Sequence, residues 1–321
     1  MQEKAILDID ISKKKFDVCL MIGNRIRHKV FDNQDDGYQK LVAWCKHQGA
    51  NLMHVCMEAT SHYMEAVATY LDDLGHHVSV VNPAQIKAFT RSELLRGKND
   101  KSDVAAIARF CLSHNPRKWQ IQPVEARSLR DMYRCLQYLK KQKLQLMNKL
   151  ENDKMNNIAK EAILSIIEAN NQELKKLEQA MHDHISNHDN LKAKINLISS
   201  IKGLGVMTSI ALLAEMPLVE NFSDARKYAA FAGLTPASNQ SGSSLNKKSR
   251  ICKIGSTLIR KALYMPAIVV KNYNEYFKDF CTRLSLKGKA PKIIIIALMR
   301  KIMHVIFGML KNNQKFNPDL V

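Results

Sequence analysis

Ala5-Ile-Leu-Asp-Ile-Asp-Ile-Ser12 decides the fold of this chain. The run alternates apolar residues with two acids, the period-2 signature of a β-strand. Asp8 and Asp10 share one face of that strand, so the pattern alone does not choose between them. A second strand-like run, Leu52-Met-His-Val-Cys-Met-Glu-Ala-Thr60, carries Glu58 near its end. Farther on, Asp100 and Asp103 stand three apart in Lys98-Asn-Asp-Lys-Ser-Asp-Val-Ala-Ala-Ile-Ala-Arg-Phe110, so a helix would show both on one face. Two acids from strand ends and two from one helix can converge on a point. Converged carboxylates repel one another unless they are protonated or hold a cation. Hard oxygen ligands suit Mg²⁺ or Mn²⁺, and a divalent pair held this way is a common device of phosphodiester chemistry.

Outward from these acids, residues 4–10, 16–22, 26–31, 52–58 and 77–81 read as strands. Residues 36–47, 62–74 and 100–112 read as helices. Three meandering strands followed by alternating helix and strand is the order of a ribonuclease-H-like fold. In that order the first strand is central and the fourth lies beside it, which makes Asp10 and Glu58 neighbours. Residues 124–195 differ: they hold no Gly or Pro and repeat apolar residues at heptad-like spacing, as at Leu129, Met132, Leu136 and Leu139. They predict a long antiparallel helical pair or coiled coil, weakened at the seam by Lys143, Asn170 and His184. This is either an ordinary packing element or a dimerisation arm, and the arm is the expectation. From about 196 a third region begins at Ile201-Lys-Gly-Leu-Gly-Val-Met-Thr208. It reads as a Gly-x-Gly turn before the helical run Ser209–Glu215, either a plain turn or a phosphate contact through backbone N–H groups. A small polar loop, Gly233-Leu-Thr-Pro-Ala-Ser-Asn-Gln-Ser-Gly-Ser-Ser244, comes next. The expected class is α/β plus α. A ribonuclease-H-like (RuvC-like) mixed-sheet domain spans 1–120, a helical arm 121–195, and a mostly helical C-terminal domain 196–321.

The chain of 321 residues carries 49 Lys and Arg against 30 Asp and Glu, a formal charge of +19. So large an excess points to a polyanionic partner. Fifteen Lys/Arg against two Asp/Glu fall between 240 and 311, so most of the excess lies there. Lys247, Lys248, Arg250, Lys253, Arg260 and Lys261 follow the serine-rich loop and are the candidate phosphate contacts. The seven cysteines are scattered with no C-x-x-C pair, which argues against zinc and for a reducing compartment. The start of the chain has no signal-peptide pattern. The most apolar run, Ile293–Met299, is too short to span a membrane. A cytoplasmic protein with no membrane partner is expected.

With these motifs in hand, the chain resembles a family of insertion-sequence recombinases. These join an Asp-Glu-Asp-Asp domain to a C-terminal serine transposase domain; they are the bridge-RNA-guided transposases, related to the pilin-gene-inverting recombinases. The family's Gly-Ile-Asp-Val-Ser-Lys stands here as Asp8-Ile-Asp-Ile-Ser-Lys13, which selects Asp10 over Asp8. Its Glu-Ala-Thr/Ser element matches Met57-Glu-Ala-Thr60, and its Lys-Thr-Asp-x-x-Asp-Ala element matches Lys98–Val104. The Gly-Leu-x-Pro…Ser-Gly…Arg-Ile-x-Lys-x-Gly-x-x-x-Leu-Arg stretch matches Gly233–Arg260. Asn99, Val104 and Ile259 depart from the pattern without touching a presumed catalytic atom. The family nucleophile maps to Ser241, before Gly242, in a loop that also holds Ser238, Ser243 and Ser244.

The resemblance implies that Asp10, Glu58, Asp100 and Asp103 hold Mg²⁺ or Mn²⁺ and that Ser241 attacks phosphorus to leave a covalent phosphoserine. It implies a composite site assembled across subunits of a dimer or tetramer, target and donor DNA as substrates, and a guide RNA that reads both by base pairing. Two other classes stay open. A Holliday-junction-type nuclease needs only the four acids and water, and it leaves no adduct. A non-enzymatic RNA scaffold would keep the fold without the chemistry, and the intact acid quartet argues against it.

Overall fold

The computed structural model describes residues 5–59, 62–92, 100–152, 154–241, 245–252 and 254–318, with the backbone course alone at 62, 100–106, 237–241 and 245–250. The chain divides into two compact units, Met1–Ile121 and Gln122–Val321.

In the first unit, β1 (Ala5–Ile11), β2 (Lys15–Ile22) and β3 (Arg25–Asp32) form an antiparallel meander. β4 (Met53–Glu58) pairs parallel to β1, and β5 (His77–Val81) parallel to β4, giving the order β3-β2-β1-β4-β5. This is the strand order expected from the sequence. β1 is apolar because both its faces are covered; every side chain in it is buried except Asp10. Over one face, α1 (Asp35–His47) and α2 (Glu65–Asp73) pack Leu41, Val42, Val67 and Leu71 against Leu7, Ile9, Phe16 and Val18. Over the other, α3 (Pro83–Ser92) and α4 (Asp100–His114) pack Ile86, Ile107, Ala108 and Cys111 against Ile6, Cys19 and Cys56. α3 was not foreseen, because only Ile86 of its ten residues is buried and its apolar stripe is short.

Hydrogen bonds beyond α4 fix its direction. The carbonyls of Pro116 and Arg117 each accept from Ser79 Oγ at 2.9 Å, and the Trp119 N–H donates to the Val78 carbonyl at 2.6 Å. The C-terminal end of α4 therefore returns to the first half of β5. Its first turn lies toward the opposite edge, where the parallel strands finish.

In the second unit, α5 (Val124–Leu150) and α6 (Asn157–Ser186) form an antiparallel pair. Two of the expected seam defects are matched by hydrogen bonds: Asn170 Nδ2 donates to the Leu139 carbonyl at 3.2 Å, and His184 Nε2 lies 2.8 Å from the Glu125 carbonyl. One end of the pair packs onto α7 (Asp189–Ser199) and α8 (Val206–Glu215) through Leu129, Leu136, Met181, Ile185 and Ile210, so the helical pair shares a core with the region C-terminal to it. Toward the other end Leu144, Met147, Ile158, Leu164 and Ile166 are exposed. A second core gathers α9 (Ala225–Phe231), α10 (Thr257–Tyr273) and α11 (Glu275–Leu286) around α12 (Pro291–Asn312). Among the described residues α12 alone is long and apolar enough to cross a membrane; its Leu298, Ile302 and Ile306 are fully buried in this core.

The expected polar loop at 233–244 is largely something else. Pro236–Ser241 is a strand, β6, paired antiparallel to β7 (Leu245–Ile251). Small polar residues pair here through their backbones, so no apolar alternation announces the strand. The base of this hairpin is pinned where two glycines meet. Gly233 (φ 71°) and Gly255 (φ 139°) both take conformations that L side chains resist. A Cβ on Gly255 would fall 2.4 Å from the Phe231 carbonyl oxygen and 2.5 Å from the Gly233 nitrogen. Gly203 (φ 105°) shapes the Gly-x-Gly turn and lets it approach Val270 of α10. Gly255→Ala should therefore cost more than the roughly 1–3 kcal/mol of a strained backbone alone, because carbonyl and amide must also move. Gly49→Ala, at φ 90° with open space around it, should cost only the strain. Thermal melts by circular dichroism should show the larger loss at Gly255.

Candidate active site

β1 and β4 run side by side with Ile9 opposite Met57, so the next residues, Asp10 and Glu58, stand together at the ends of adjacent parallel strands. Asp10 is exposed and Glu58 half-buried. This is the position in an open sheet where ligands are bound, beyond the carboxyl ends of the strands. Asp100 and Asp103 occupy the first turn of α4, which lies toward that same edge; their side chains are outside the described set. The four expected acids thus come from three elements that finish or begin at one end of the sheet.

Asp8 is the unexpected member. Two residues before Asp10 on the same strand face, it is fully buried beneath α4, and neither carboxylate oxygen has a hydrogen-bond partner. Burial pushes its carboxyl well above the ordinary range, and the charge of Asp10 pushes it further. The neighbouring Ile9 N–H opposes this, while Cys111 and Glu58 add smaller contributions to the rise. Three thiols share its pocket: Cys19 is pushed up to about 12 by burial and by Asp8, and Cys56 is raised by its hydrogen bond to Cys111 and by burial. Asp8 therefore sits buried behind Asp10, with its carboxyl raised well above the usual carboxylate range. The signal for this lay in the sequence: Asp8 falls mid-strand, with Ile6, Leu7 and Ile9 around it, whereas Asp10 is near the exit.

The all-carboxylate donor set fits a hard divalent cation rather than zinc or copper. Among the described residues no three His, Cys, Asp or Glu side chains gather as a metal site, and of the four expected acids that description includes only the side chains of Asp10 and Glu58.

The remaining expected residues belong to the second unit. Ser241 ends β6 opposite Leu245, at the tip of the hairpin, and the turn 242–244 lies outside the described residues. Lys247, Lys248 and Arg250 lie on β7, Lys253 is outside the described residues, and Arg260 and Lys261 sit early in α10. Arg260 has a structural duty that the sequence did not reveal. Its Nη1 donates to the carbonyls of Ala232 and Gly255, both at 3.1 Å, and so ties α10 to the glycine turn. A guanidinium has five donors, so these two bonds leave others for a phosphate.

A mixed sheet of ribonuclease-H-like order, with acids at the ends of its central parallel strands, defines a class of phosphodiester-processing proteins. Comparison with known proteins narrows it. Residues 8–153 match a transposase family model, and residues 195–282 match the transposase IS116/IS110/IS902 family. The pilin gene-inverting protein of Moraxella bovis is 30% identical over 321 residues, covering 99% of each chain, and that of Moraxella lacunata is equally similar. The transposase for insertion sequence element IS1111A of Coxiella burnetii is 23% identical over 98% of this chain and 92% of its own length. The chain belongs to the IS110/IS116 family of insertion-sequence transposases and recombinases, whose chemistry is DNA recombination.

Asp8 generates a test on the metal-free protein. A buried acid whose carboxyl is raised takes up a proton on folding. The stability this gives is complete below the unfolded value near 3.9 and is lost as pH rises toward the folded one. Asp8→Asn removes that penalty. Its melting temperature should exceed that of the wild type at pH 8, and the gap should close as pH falls toward 4.

Proposed function

We propose that this protein cleaves and rejoins DNA strands through a covalent serine–DNA intermediate, with Asp10, Glu58, Asp100 and Asp103 holding divalent cations, and that an encoded guide RNA selects the DNA. One observation carries the cleavage reading: Asp10 is the single exposed residue of a strand otherwise buried on both faces, and it stands next to Glu58.

Mg²⁺ or Mn²⁺, when bound, would neutralise charge developing on the scissile phosphate. The chain's own part is positional. Asp10 and Glu58 are set by paired strands, a rigid base for a site that must hold its geometry closely. Ser241 ends β6 at the tip of the hairpin, and Gly242 follows it in the sequence. The Ser241 Oγ would form the bond to phosphorus as the deoxyribose oxygen departs, and the hydroxyl proton would pass to a base. The phosphoserine conserves the bond for rejoining to a second strand. Lys247, Lys248, Arg250, Lys253, Arg260 and Lys261 supply cations for the phosphate backbone, which supports DNA and RNA alike as partners. The exposed leucines and isoleucines toward one end of α5 and α6 support a homo-oligomer, dimer or tetramer, joined through this pair.

Asp10→Ala or Asp103→Asn should abolish strand cleavage in Mg²⁺ and leave DNA binding within about twofold, because binding rests on the backbone cations. Ser241→Ala should abolish both recombination and any protein–DNA adduct, and mass spectrometry of a trapped adduct should place the nucleotide on the peptide holding Ser241. Cleavage without an adduct would identify a water-using nuclease instead. Leu164→Glu with Ile166→Glu should lower the molar mass seen by light scattering without loss of helix; an unchanged mass would return the pair to a packing role.

A further inference from the structure

β3 is an edge strand, bonded on one side only, to β2. All but one of its side chains are exposed, and Arg25, Arg27 and Lys29 alternate on the face that carries Phe31. They form a cationic row with a repeat of about 6.8 Å. Beside the row, between β3 and α1, runs a groove of about 500 Å³, large enough for a nucleotide. Lys15, Lys29, Lys40 and His47 line it. Its aromatic wall is Trp44, half-buried against Phe31 with ring centroids 5.9 Å apart. The Lys29 ammonium sits over both rings, 5.3 Å from Phe31 and 5.9 Å from Trp44. Lys40 is engaged by Asp36, and Lys15 lies 3.8 Å from Asp17, so Lys29 is the cation seated on the rings themselves.

Edge strands often carry lysine and arginine simply to repel other edges. That role needs neither an indole nor a groove. A cationic row that continues into an aromatic-walled groove is the arrangement that takes single-stranded nucleic acid, with phosphates on the cations and a base on the ring. Duplex DNA keeps its bases paired and stacked, so it cannot offer one to Trp44. Asp32 also lines the groove. A carboxylate repels phosphate but accepts a hydrogen bond from a ribose 2′-hydroxyl, the group that distinguishes RNA from DNA.

We propose that the groove between β3 and α1 binds an unpaired segment of RNA, its phosphates on Lys29, Arg27 and Arg25, one base on Trp44 and a 2′-hydroxyl on Asp32. When Lys29 turns to a phosphate, the ring face it covers is released to the base. The inference rests on the reading that the protein works with an RNA, and it assigns that RNA a place on the first unit.

The test uses the full chain with labelled oligouridylate, oligodeoxyuridylate of the same length, and duplex DNA, read by fluorescence anisotropy. The oligouridylate should bind more tightly than the deoxy strand, and Asp32→Ala should narrow that preference. Lys29→Gln with Arg27→Gln should weaken RNA binding and flatten its salt dependence by roughly one unit of slope per lost contact. Trp44→Leu should weaken it about tenfold with the slope unchanged, as loss of one stacked base does. If the wild type binds RNA and these variants bind it equally well, the groove assignment is overturned and the RNA reading stands. A wild type that binds no RNA overturns both. Equal losses on the deoxy strand, with no preference for ribose, overturn the choice of RNA.

Discussion

The parallel pairing of β1 with β4 is the constraint on which the first unit depends. It fixes Ile9 opposite Met57 and therefore places Asp10 beside Glu58. A slip of one residue would send every side chain of β1 to the opposite face. Leu7 and Ile9 would leave the layer under α1 and α2, and Asp8 and Asp10 would enter it. Burial of the apolar set thus enforces the register, and the register sets the carboxylate pair. In the proposed reaction, the precision of this pair comes from a core that takes no part in the chemistry.

The same pairing sets the cost of placing acids so close together. Asp10 reaches the exposed edge. Asp8, one pleat deeper and under α4, is fully buried, and burial raises its carboxyl well above the usual range. Two carboxyls of identical chemistry, on one face of one strand, thus meet different surroundings: Asp10 is exposed, and Asp8 lies in a buried layer that includes Cys19, Cys56 and Cys111.

Much of this was legible in the sequence because the relevant patterns are apolar. The five strands of the first unit, α1 and α4 follow from alternation and helical periodicity, and the adjacency of Asp10 and Glu58 follows from the strand order. The choice of Asp10 over Asp8 came from a motif; in the structure Asp8 is buried and Asp10 exposed. Besides α3, three features stayed hidden. The strand Pro236–Ser241 pairs through its backbone with side chains that carry no hydrophobic signal. The duty of Arg260 depends on the Ala232 carbonyl, far back along the chain. The groove beside Trp44 exists only because α1 folds back along β3; in the sequence Lys29 and Trp44 merely stand in neighbouring elements. Asn170 and His184 looked like flaws in a helical seam, but each finds a backbone carbonyl on the facing helix.

The hairpin of β6 and β7 also behaves as a lever. Its base is clamped where Cys252 bonds to Thr235 and where Arg260 grips the glycine turn. Its far end, at the last residue of β6, lies about 20 Å away at an extended rise. Over that span a tilt of about 3° at the base carries Ser241 through about 1 Å, a displacement large enough to cost a positioned reaction about a hundredfold. The irregularity between Ala237 and Asn239 adds twist along the same arm. In the proposed serine attack, the aim of the hydroxyl is set at Gly233, Gly255 and Arg260, the residues that hold the base of the hairpin.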